Sequence, residues 1–406
     1  MKKLNLCLAA PSFFPTYGGA ELRFFRYLPG LRARSIDTGI VTGTPTAHQH
    51  TASGHAEEWQ QNRVGDILAS ATPDGTPVHR VRLPDEKGWR RAVLFNQTVA
   101  RYCQQADHRA DVLQLVTGLR PLTIPWIRYL QARRIAVVYA VTIAPRQKNL
   151  SKNRFKHVYR AWLARELYNQ LDCIITNNTP LRDIIREIGV TTPVEVIPNG
   201  VDMQRFQPPG AGAEHRELRL SLGVTEGDFL VTTVGAVTPR KGSDLLLEAW
   251  LNIAERFPSA HLGLIGPRTD LQNPKFTAFR DRLEALRQAS PVPQNVHFVG
   301  EVAKIETYMR ATDVFVLPSD REGMPNSVLE AMACGLPVIS TNVGGVPYIL
   351  TDGETGLLVP TRDPQALADA ILRLFSDRAL QQRLRLNALK EVDRYSWQRV
   401  CNQWLT

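Results

Sequence analysis

Glu322 and Glu330 stand with seven residues between them in the stretch Arg321-Glu322-Gly323-Met324-Pro325-Asn326-Ser327-Val328-Leu329-Glu330, directly after the apolar run Val314-Phe315-Val316-Leu317-Pro318. A carboxylate offers two acceptor oxygens and so matches a vicinal diol. Two of them, spaced by a loop and one helical turn, could hold two diols on either side of a diphosphate, and a nucleotide-sugar has those parts. Two other stretches carry matching chemistry. Val234-Gly235-Ala236-Val237-Thr238-Pro239-Arg240-Lys241-Gly242 places Arg240 and Lys241 where they would neutralise a diphosphate, although a solvated basic loop reads the same way. Pro11 to Glu21 carries the pair Gly18 and Gly19, which lets backbone approach a phosphate closely and is also an ordinary connector.

The elements that must position these residues follow from periodicity. The run Val314–Pro318 reads as a buried parallel strand and Asn326–Cys334 as a helix capped by Asn326 and stopped by Gly335. Glu322 then falls in the strand-to-helix loop and Glu330 one turn into the helix. In an open α/β sheet, ligands gather at the carboxyl ends of strands, where helix N-termini attract anions. Before residue 200, Leu4–Ala9, Asp37–Val41, Val78–Val81, Val112–Val116, Ile135–Val141, Cys173–Thr176 and Val194–Ile197 read as strands with helices between most of them. Residues 43–77 read as a long loop with one short helix. His48, His50 and His55 lie in it and are read as solvated polar residues, not metal ligands, since no Cys or carboxylate stands at ligand spacing. Pro208-Pro209-Gly210-Ala211-Gly212 marks a linker.

Beyond the linker, Phe229–Gly235, His261–Gly266, Val296–Gly300, Val314–Pro318 and Val338–Thr341 are expected as strands. Asp244–Arg256, Phe276–Ala289, Ile305–Ala311 and Pro364–Phe375 are expected as helices. The expected fold is therefore α/β, with two doubly wound, Rossmann-like domains facing across a cleft: residues 1–208 and 209–387. A C-terminal amphipathic helix over 388–406, with Tyr395, Trp397, Val400 and Trp404 for burial, is expected to cross back to the first domain.

At 406 residues the chain is long enough for two such cores, and no apolar run approaches the roughly 20 residues of a spanning helix. Leu4 to Ala10 reads as a first strand in preference to a signal segment, because its apolar core is short and Asn5 interrupts it. Five scattered cysteines without a Cys-x-x-Cys pair suggest a reduced, cytosolic inventory with no metal site. Residues 1–200 carry 27 Lys+Arg against 15 Asp+Glu, which leaves 22 against 24 for the remainder, so the whole excess of +10 belongs to the first half. That half is expected to face something anionic, a membrane surface or a phosphorylated acceptor. Nucleic acid is not expected, for want of any recognition motif.

Several of these stretches together carry a resemblance. Gly18-Gly19-x-Glu21, Ile197-Pro198-Asn199-Gly200-Val201-Asp202, Lys241-Gly242, the pair Glu322 and Glu330, Glu330-Ala331-Met332-Ala333-Cys334-Gly335-Leu336-Pro337-Val338 and Gly353-x-x-Gly356-Leu357-Leu358-Val359 resemble the retaining GT-B glycosyltransferases of family 4. The resemblance covers nearly the whole chain and is most specific from Ile197 to Phe375. It implies that Glu322, with the N–H groups of Gly323, Met324 and Pro325, contacts donor sugar and phosphate, and that Glu330 takes the ribose hydroxyls. It further implies Lys241 on the diphosphate, Gly18-Gly19 over the distal phosphate, and the base against the backbone of Gly300-Glu301-Val302. Three positions depart from the family pattern: Ala236 where an arginine is usual, Thr142-Ile143 where His-Asp is frequent, and Tyr348 where a glutamate is common. Arg240 is expected to supply the charge that Ala236 lacks.

On that resemblance the chain is expected to be a retaining transferase that works by front-face substitution, with Glu322, Lys241 and Arg240 as the catalytic group. The donor would be a nucleotide-sugar (UDP-sugar on family frequency alone), with no tightly bound cofactor and no metal. The acceptor would be a glycan or a lipid-linked glycan of the cell surface, and the location cytoplasmic or peripheral at the inner face of the membrane. A nucleotide-sugar-binding protein with impaired catalysis on the same scaffold is the alternative. From Arg146 to Arg165, Phe155, Tyr159 and Trp162 recur at helical spacing among Lys148, Lys152, Arg154, Lys156, Arg160 and Arg165. Two readings stand for it: peripheral contact with an anionic membrane, or, the preferred one, aromatics buried in the first domain and charges solvated.

Overall fold

A computed structural model of the chain describes residues 4–11, 26, 28–44, 66–72, 75–84, 88–105, 109–116, 119–142, 154–210, 214–268 and 274–404. The chain divides into two compact units, residues 1–198 with 401–406, and residues 199–400. The division falls ten residues before the Pro208–Gly212 linker, because Val201 and Phe206 are fully buried in the core of the second unit.

In the first unit, β1 (Leu4–Ala10), β2 (Ile36–Gly43), β3 (Ile67–Ala71), β4 (Pro77–Val81), β5 (Val112–Leu115), β6 (Ala136–Val141), β7 (Cys173–Thr176) and β8 (Val194–Val196) form one 8-stranded sheet in the order β3-β4-β2-β1-β5-β6-β7-β8. All pairs are parallel except β3 with β4. The antiparallel edge strand corrects the reading of residues 43–77 as a loop. Its half-exposed residues Ile-Leu-Ala-Ser-Ala give little alternation, and it is held as the outer arm of a hairpin by the turn at Thr72–Thr76. Four helices, α1 (Trp89–Tyr102), α2 (Ile124–Gln131), α3 (Arg154–Tyr168) and α4 (Thr179–Glu187), connect β4 to β5, β5 to β6, β6 to β7 and β7 to β8. Every one of these connections runs the same way along the sheet, so right-handed crossovers place the four helices on one face, with their N-termini at the carboxyl ends of the strands. Phe95, Ile127, Ala164, Leu167, Leu181 and Ile185 meet in a single core there.

The preferred burial of the α3 aromatics is overturned. Tyr159 and Trp162 are 53% and 52% exposed, whereas Ala164, Leu167 and Tyr168 of the same helix are the residues that enter the core. The stripe facing the sheet is shifted by half a turn from the one the aromatics suggested. The side chain of Phe155 lies outside the described residues, as do Gly18, Gly19, His48, His50 and His55.

The second unit carries α5 (Glu214–Ser221), β9 (Leu230–Val234), α6 (Ser243–Arg256), β10 (His261–Ile265), α7 (Thr277–Gln288), β11 (Val296–Gly300), α8 (Ile305–Ala311) and β12 (Val314–Leu317). There follow α9 (Asn326–Ala333), β13 (Val338–Thr341), β14 (Leu357–Val359), α10 (Pro364–Ser376), α11 (Arg378–Val392) and α12 (Trp397–Asn402), whose last two residues belong to the first unit. The strands make a 6-stranded, wholly parallel sheet in the order β11-β10-β9-β12-β13-β14. Helices cover both faces: along β12, Val314 and Val316 enter a core with α6 and α10, while Phe315 and Leu317 enter a second core with α9. The tail is not one amphipathic helix. α11 ends at Val392, a 3-10 turn follows over Asp393–Tyr395, and α12 then begins. Trp397 packs under Gly200, where a Cβ would come within 2.4 Å of the indole. Among the described residues no helix is long and apolar enough to cross a membrane.

Candidate functional site

β9 lies between β10 and β12, and the chain leaves it in one direction to β11 and returns to β12 to continue in the other. The loops at the carboxyl ends of β9 and β12 therefore diverge and leave a crevice, the position at which such sheets bind ligands. Lys241 ends the first loop and Glu322 sits in the second. They meet there, with Lys241 Nζ donating to Glu322 Oε1 at 2.7 Å.

The two loops are fastened along their length. Asp320 N–H donates to the Arg240 carbonyl at 2.9 Å, and Arg240 Nη1 donates to the Arg321 carbonyl at 3.0 Å and, at the long limit, to Glu322 Oε1 at 3.5 Å. Arg362 closes the outside through the Asp320 carboxylate, at 2.9 Å. Gly242 lets the loops touch: its φ is 68°, and a Cβ there would stand 2.1 Å from the Pro318 carbonyl oxygen. Glu322 keeps only 9% of its side chain exposed and Lys241 18%, so the pair sits in poorly solvated ground, while Arg240, at 45%, lies on the rim.

Beneath Glu322 the loop is held from two sides. The Gly344-Gly345 turn after β13 presses on its backbone, with Gly345 N–H donating to the Gly323 carbonyl at 2.6 Å. Gly344 has φ 54°, and a Cβ there would overlap the Glu322 carbonyl oxygen at 1.8 Å. Gly344 and Gly345 thus bring the turn after β13 directly up against the Glu322 loop. From the other side comes Asn199, whose Nδ2 donates to the Met324 carbonyl at 2.6 Å and to Asn326 Oδ1 at 2.9 Å. Its own N–H points to Met324 Sδ at 3.1 Å.

These contacts correct one expectation: Asn326 does not cap α9. Pro325 is the N-cap residue, and the Asn326 side-chain oxygen is engaged by Asn199. Gly335, with φ 69°, ends α9 as expected, in a turn closed by Leu336 N–H on the Ala331 carbonyl. Glu330 lies one turn into α9 and is 4% exposed. Gly300 and Val302 lie at the carboxyl end of β11, where the Gly300 carbonyl accepts from Gly266 N–H at 2.8 Å. Arg240, Lys241, Glu322, Gly323, Met324 and Pro325 are brought together on the β9 and β12 loops. Glu330 stands behind them on α9, and Gly18 and Gly19 lie outside the described residues. Burial pushes the Cys334 thiol up to about 12, so this cysteine is an inert core residue and not a nucleophile.

Sequence reasoning passed over the side-chain contacts of Asn199 with Met324 and Asn326. Asn199 stands in Ile197-Pro198-Asn199-Gly200-Val201-Asp202, a stretch that carries part of the resemblance but does not name the partners of its side chain.

Residues 17–205 match the family model described as Glycosyltransferase Family 4, and residues 228–377 that of Glycosyl transferases group 1. The D-inositol 3-phosphate glycosyltransferase of Corynebacterium jeikeium is 30% identical over 319 residues, covering 75% of this chain and 73% of its own length. The chain belongs to glycosyltransferase family 4. The protein of the same description from Actinosynnema mirum is 31% identical over 58% of this chain and 57% of its own length. The matched stretch spans about half the length of most other curated relatives. Among solved structures, sucrose-phosphate synthase from Thermosynechococcus elongatus aligns with a TM-score of 0.75 at 23% identity, covering 99% of this chain and 97% of that one. Anabaena HepE in complex with UDP-glucose aligns with a TM-score of 0.73 at 20% identity, covering 98% and 97%. The fold is GT-B, with two parallel-sheet, Rossmann-like domains.

Two of the departures from the family pattern lie in described surroundings of the second unit. Ala236 leaves no cation directly after Gly235, and Arg240 reaches Glu322 Oε1 from the rim at 3.5 Å. Tyr348, in place of the common glutamate, is 49% exposed, and its carbonyl accepts from Tyr395 Oη at 2.7 Å. That bond ties the turn after β13 to the 3-10 turn over Asp393–Tyr395 through backbone, whatever side chain stands at 348.

Proposed function

We propose that the chain is a nucleotide-sugar-dependent, retaining glycosyltransferase. It passes a sugar from a UDP-sugar to a glycan or lipid-linked acceptor in the making of cell-surface polysaccharide or glycolipid. The observation that carries this reading is the pairing of Lys241 with Glu322 at the switch point of the second sheet, 2.7 Å apart and poorly solvated. A cation parked on a carboxylate is a preformed exchange site. An arriving diphosphate draws the Lys241 ammonium to itself, and the Glu322 oxygens so released accept the hydroxyls of the sugar that the diphosphate carries. The burial of Glu330 one turn into α9, behind the Glu322 loop, supports a role for it on the ribose hydroxyls.

The chemistry then needs little beyond positioning and charge. As the bond between the anomeric carbon and the phosphate oxygen breaks, negative charge grows on the leaving diphosphate, and Lys241 and Arg240 stabilise it where it develops. The same diphosphate oxygen takes the proton of the acceptor hydroxyl that attacks on the same face, so configuration is kept without an enzymic nucleophile. Two cationic side chains at the phosphate position support turnover without a metal, and activity in excess EDTA is the expected result. HepE has been solved with UDP-glucose, a curated relative in Rhizobium meliloti is described as a lipopolysaccharide core mannosyltransferase, and others bear the name of a phosphorylated acceptor. These names support a UDP-sugar donor and an anionic or lipid-linked acceptor here.

Incubating the protein with a panel of nucleotide-sugars, with and without acceptor, and following nucleotide release tests the reading; nuclear magnetic resonance of the product reads the anomeric configuration. Inverted product overturns retention. UDP binding without nucleotide release from any donor favours the non-catalytic alternative.

A further inference from the structure

For Glu322 to trade Lys241 for a sugar, its loop must keep its place as the cation leaves. The two carbonyls that follow Glu322 in the chain are each held by a different clamp. Gly345 N–H donates to the Gly323 carbonyl at 2.6 Å, and Asn199 Nδ2 donates to the Met324 carbonyl, also at 2.6 Å. The clamps come from distant parts of the second unit, the turn after β13 and the segment with which the unit begins.

Both clamps are anchored on one residue, Tyr395, which ends the 3-10 turn between α11 and α12. Its carbonyl accepts from Val201 N–H at 2.8 Å, two residues after Asn199, and Trp397 N–H returns a bond to the Val201 carbonyl at 3.2 Å. Its hydroxyl donates to the Tyr348 carbonyl at 2.7 Å, and Tyr348 N–H donates to the Gly345 carbonyl at 3.2 Å, within the turn that presses on the Glu322 loop. Between these two ends the ring packs on the core that holds Val201, Met324 and Val346. A phenol ring is rigid, so Tyr395 is a spacer of nearly set length between the clamps. Burial pushes its phenol up, so the hydroxyl keeps its proton at neutral pH and stays a donor.

We infer that Tyr395 is a positioning residue for the donor sugar: by spanning the two clamps it fixes the backbone at Gly323 and Met324, and with it the direction in which Glu322 points. The inference rests on the reading of Glu322 as the carboxylate that holds the sugar. Removing the hydroxyl alone releases one clamp and leaves the ring, the core and the Val201 bond in place. The carbonyl it leaves belongs to Tyr348, which is half exposed, so water replaces the lost donor and the fold loses little.

Tyr395→Phe in the full chain tests it by two readouts. Hydrogen exchange of the free protein is read over residues 343–348, whose Gly345 amide is the clamp's own donor. Exchange about fivefold faster, at an unchanged melting temperature, is expected there. With the nucleotide-sugar that the wild type turns over, the donor KM is expected to rise about threefold to tenfold while kcat stays within about twofold. Affinity for the nucleoside diphosphate alone is expected to be unchanged, because it carries no sugar for Glu322 to hold. Wild-type exchange over 343–348 overturns the inference, as does an unchanged donor KM beside faster exchange. Equal weakening of the diphosphate and the nucleotide-sugar also overturns it and makes Tyr395 a merely structural residue. If the wild type turns over no donor, the transferase reading fails, and exchange alone decides whether Tyr395 holds the clamp.

Discussion

Asn199 shows how a single amide can set the geometry of a site it never enters. Its two N–H groups hold the Met324 carbonyl and Asn326 Oδ1, fixing the loop that carries Glu322. An aspartate there would turn two donors into acceptors facing oxygens, and an alanine would leave both buried oxygens without this partner, at about 1–3 kcal/mol. Asn199→Ala is expected to raise the donor KM by about tenfold while the melting temperature falls by a few degrees. Steady-state kinetics beside thermal melting separate the roles, because a merely structural residue would lower the melting temperature and leave the KM alone. Lys241 is expected to act on the transition state. Loss of one charge contact of this kind costs about 2–4 kcal/mol, so Lys241→Ala is expected to lower kcat on the order of a hundredfold. Near-native turnover by a folded Lys241→Ala protein would remove the phosphate assignment. The placement of Lys241 and Glu322 on neighbouring strand-to-helix loops was legible in the sequence because each lies in a contiguous strand-loop-helix pattern. The Asn199 role was not, because its partners stand 125 and 127 residues away and a contact of that range leaves no periodicity to read.

At the scale of elements, the end of the second sheet opposite the site carries a pH-sensitive joint. His261 opens β10 and His297 lies on β11, with His261 Nδ1 and His297 Nε2 3.1 Å apart and the rings stacked. Burial first, then the neighbouring His261 and Arg287, push His297 down to about 4, and burial also lowers His261. The unfolded chain therefore takes protons before the folded one does. The stability that this pair contributes is complete above about pH 6.5 and is lost as pH falls toward 4, about 2 kcal/mol for His297 once partial solvent screening is allowed for. Urea midpoints measured from pH 7 to pH 4.5 are expected to fall more steeply in the wild type than in His297→Gln; equal slopes would contradict the assignment. Most elements were legible, since a buried strand such as Val314–Leu317 is a continuous apolar run. Two causes lie behind the exceptions. β3 and β14 are edge strands of five and three residues, too short for alternation to register, and α3 presents its largest apolar residues to solvent, so the period alone selected the wrong face.

At the scale of the molecule, the two units are chemically unlike: each has its own sheet and core, and the basic excess lies within residues 1–200. Units with separate cores can melt separately, and a ligand stabilises the one that binds it by mass action. Scanning calorimetry of the full chain is therefore expected to show two transitions that respond to different variables. UDP at about a hundred times its Kd adds about 2.7 kcal/mol to the unit that holds Lys241 and Glu322, which for a unit of its size is a rise of about 5–10 °C. The basic unit is held below its potential stability by self-repulsion among its arginines and lysines, which added salt screens, so its transition is expected to rise between low and moderate ionic strength with a smaller response to UDP. A single transition that moves as a whole with UDP would show instead that the units unfold as one and would contradict their separate cores. Two transitions, with UDP acting mainly on the first unit, would place the nucleotide away from the β9 and β12 loops.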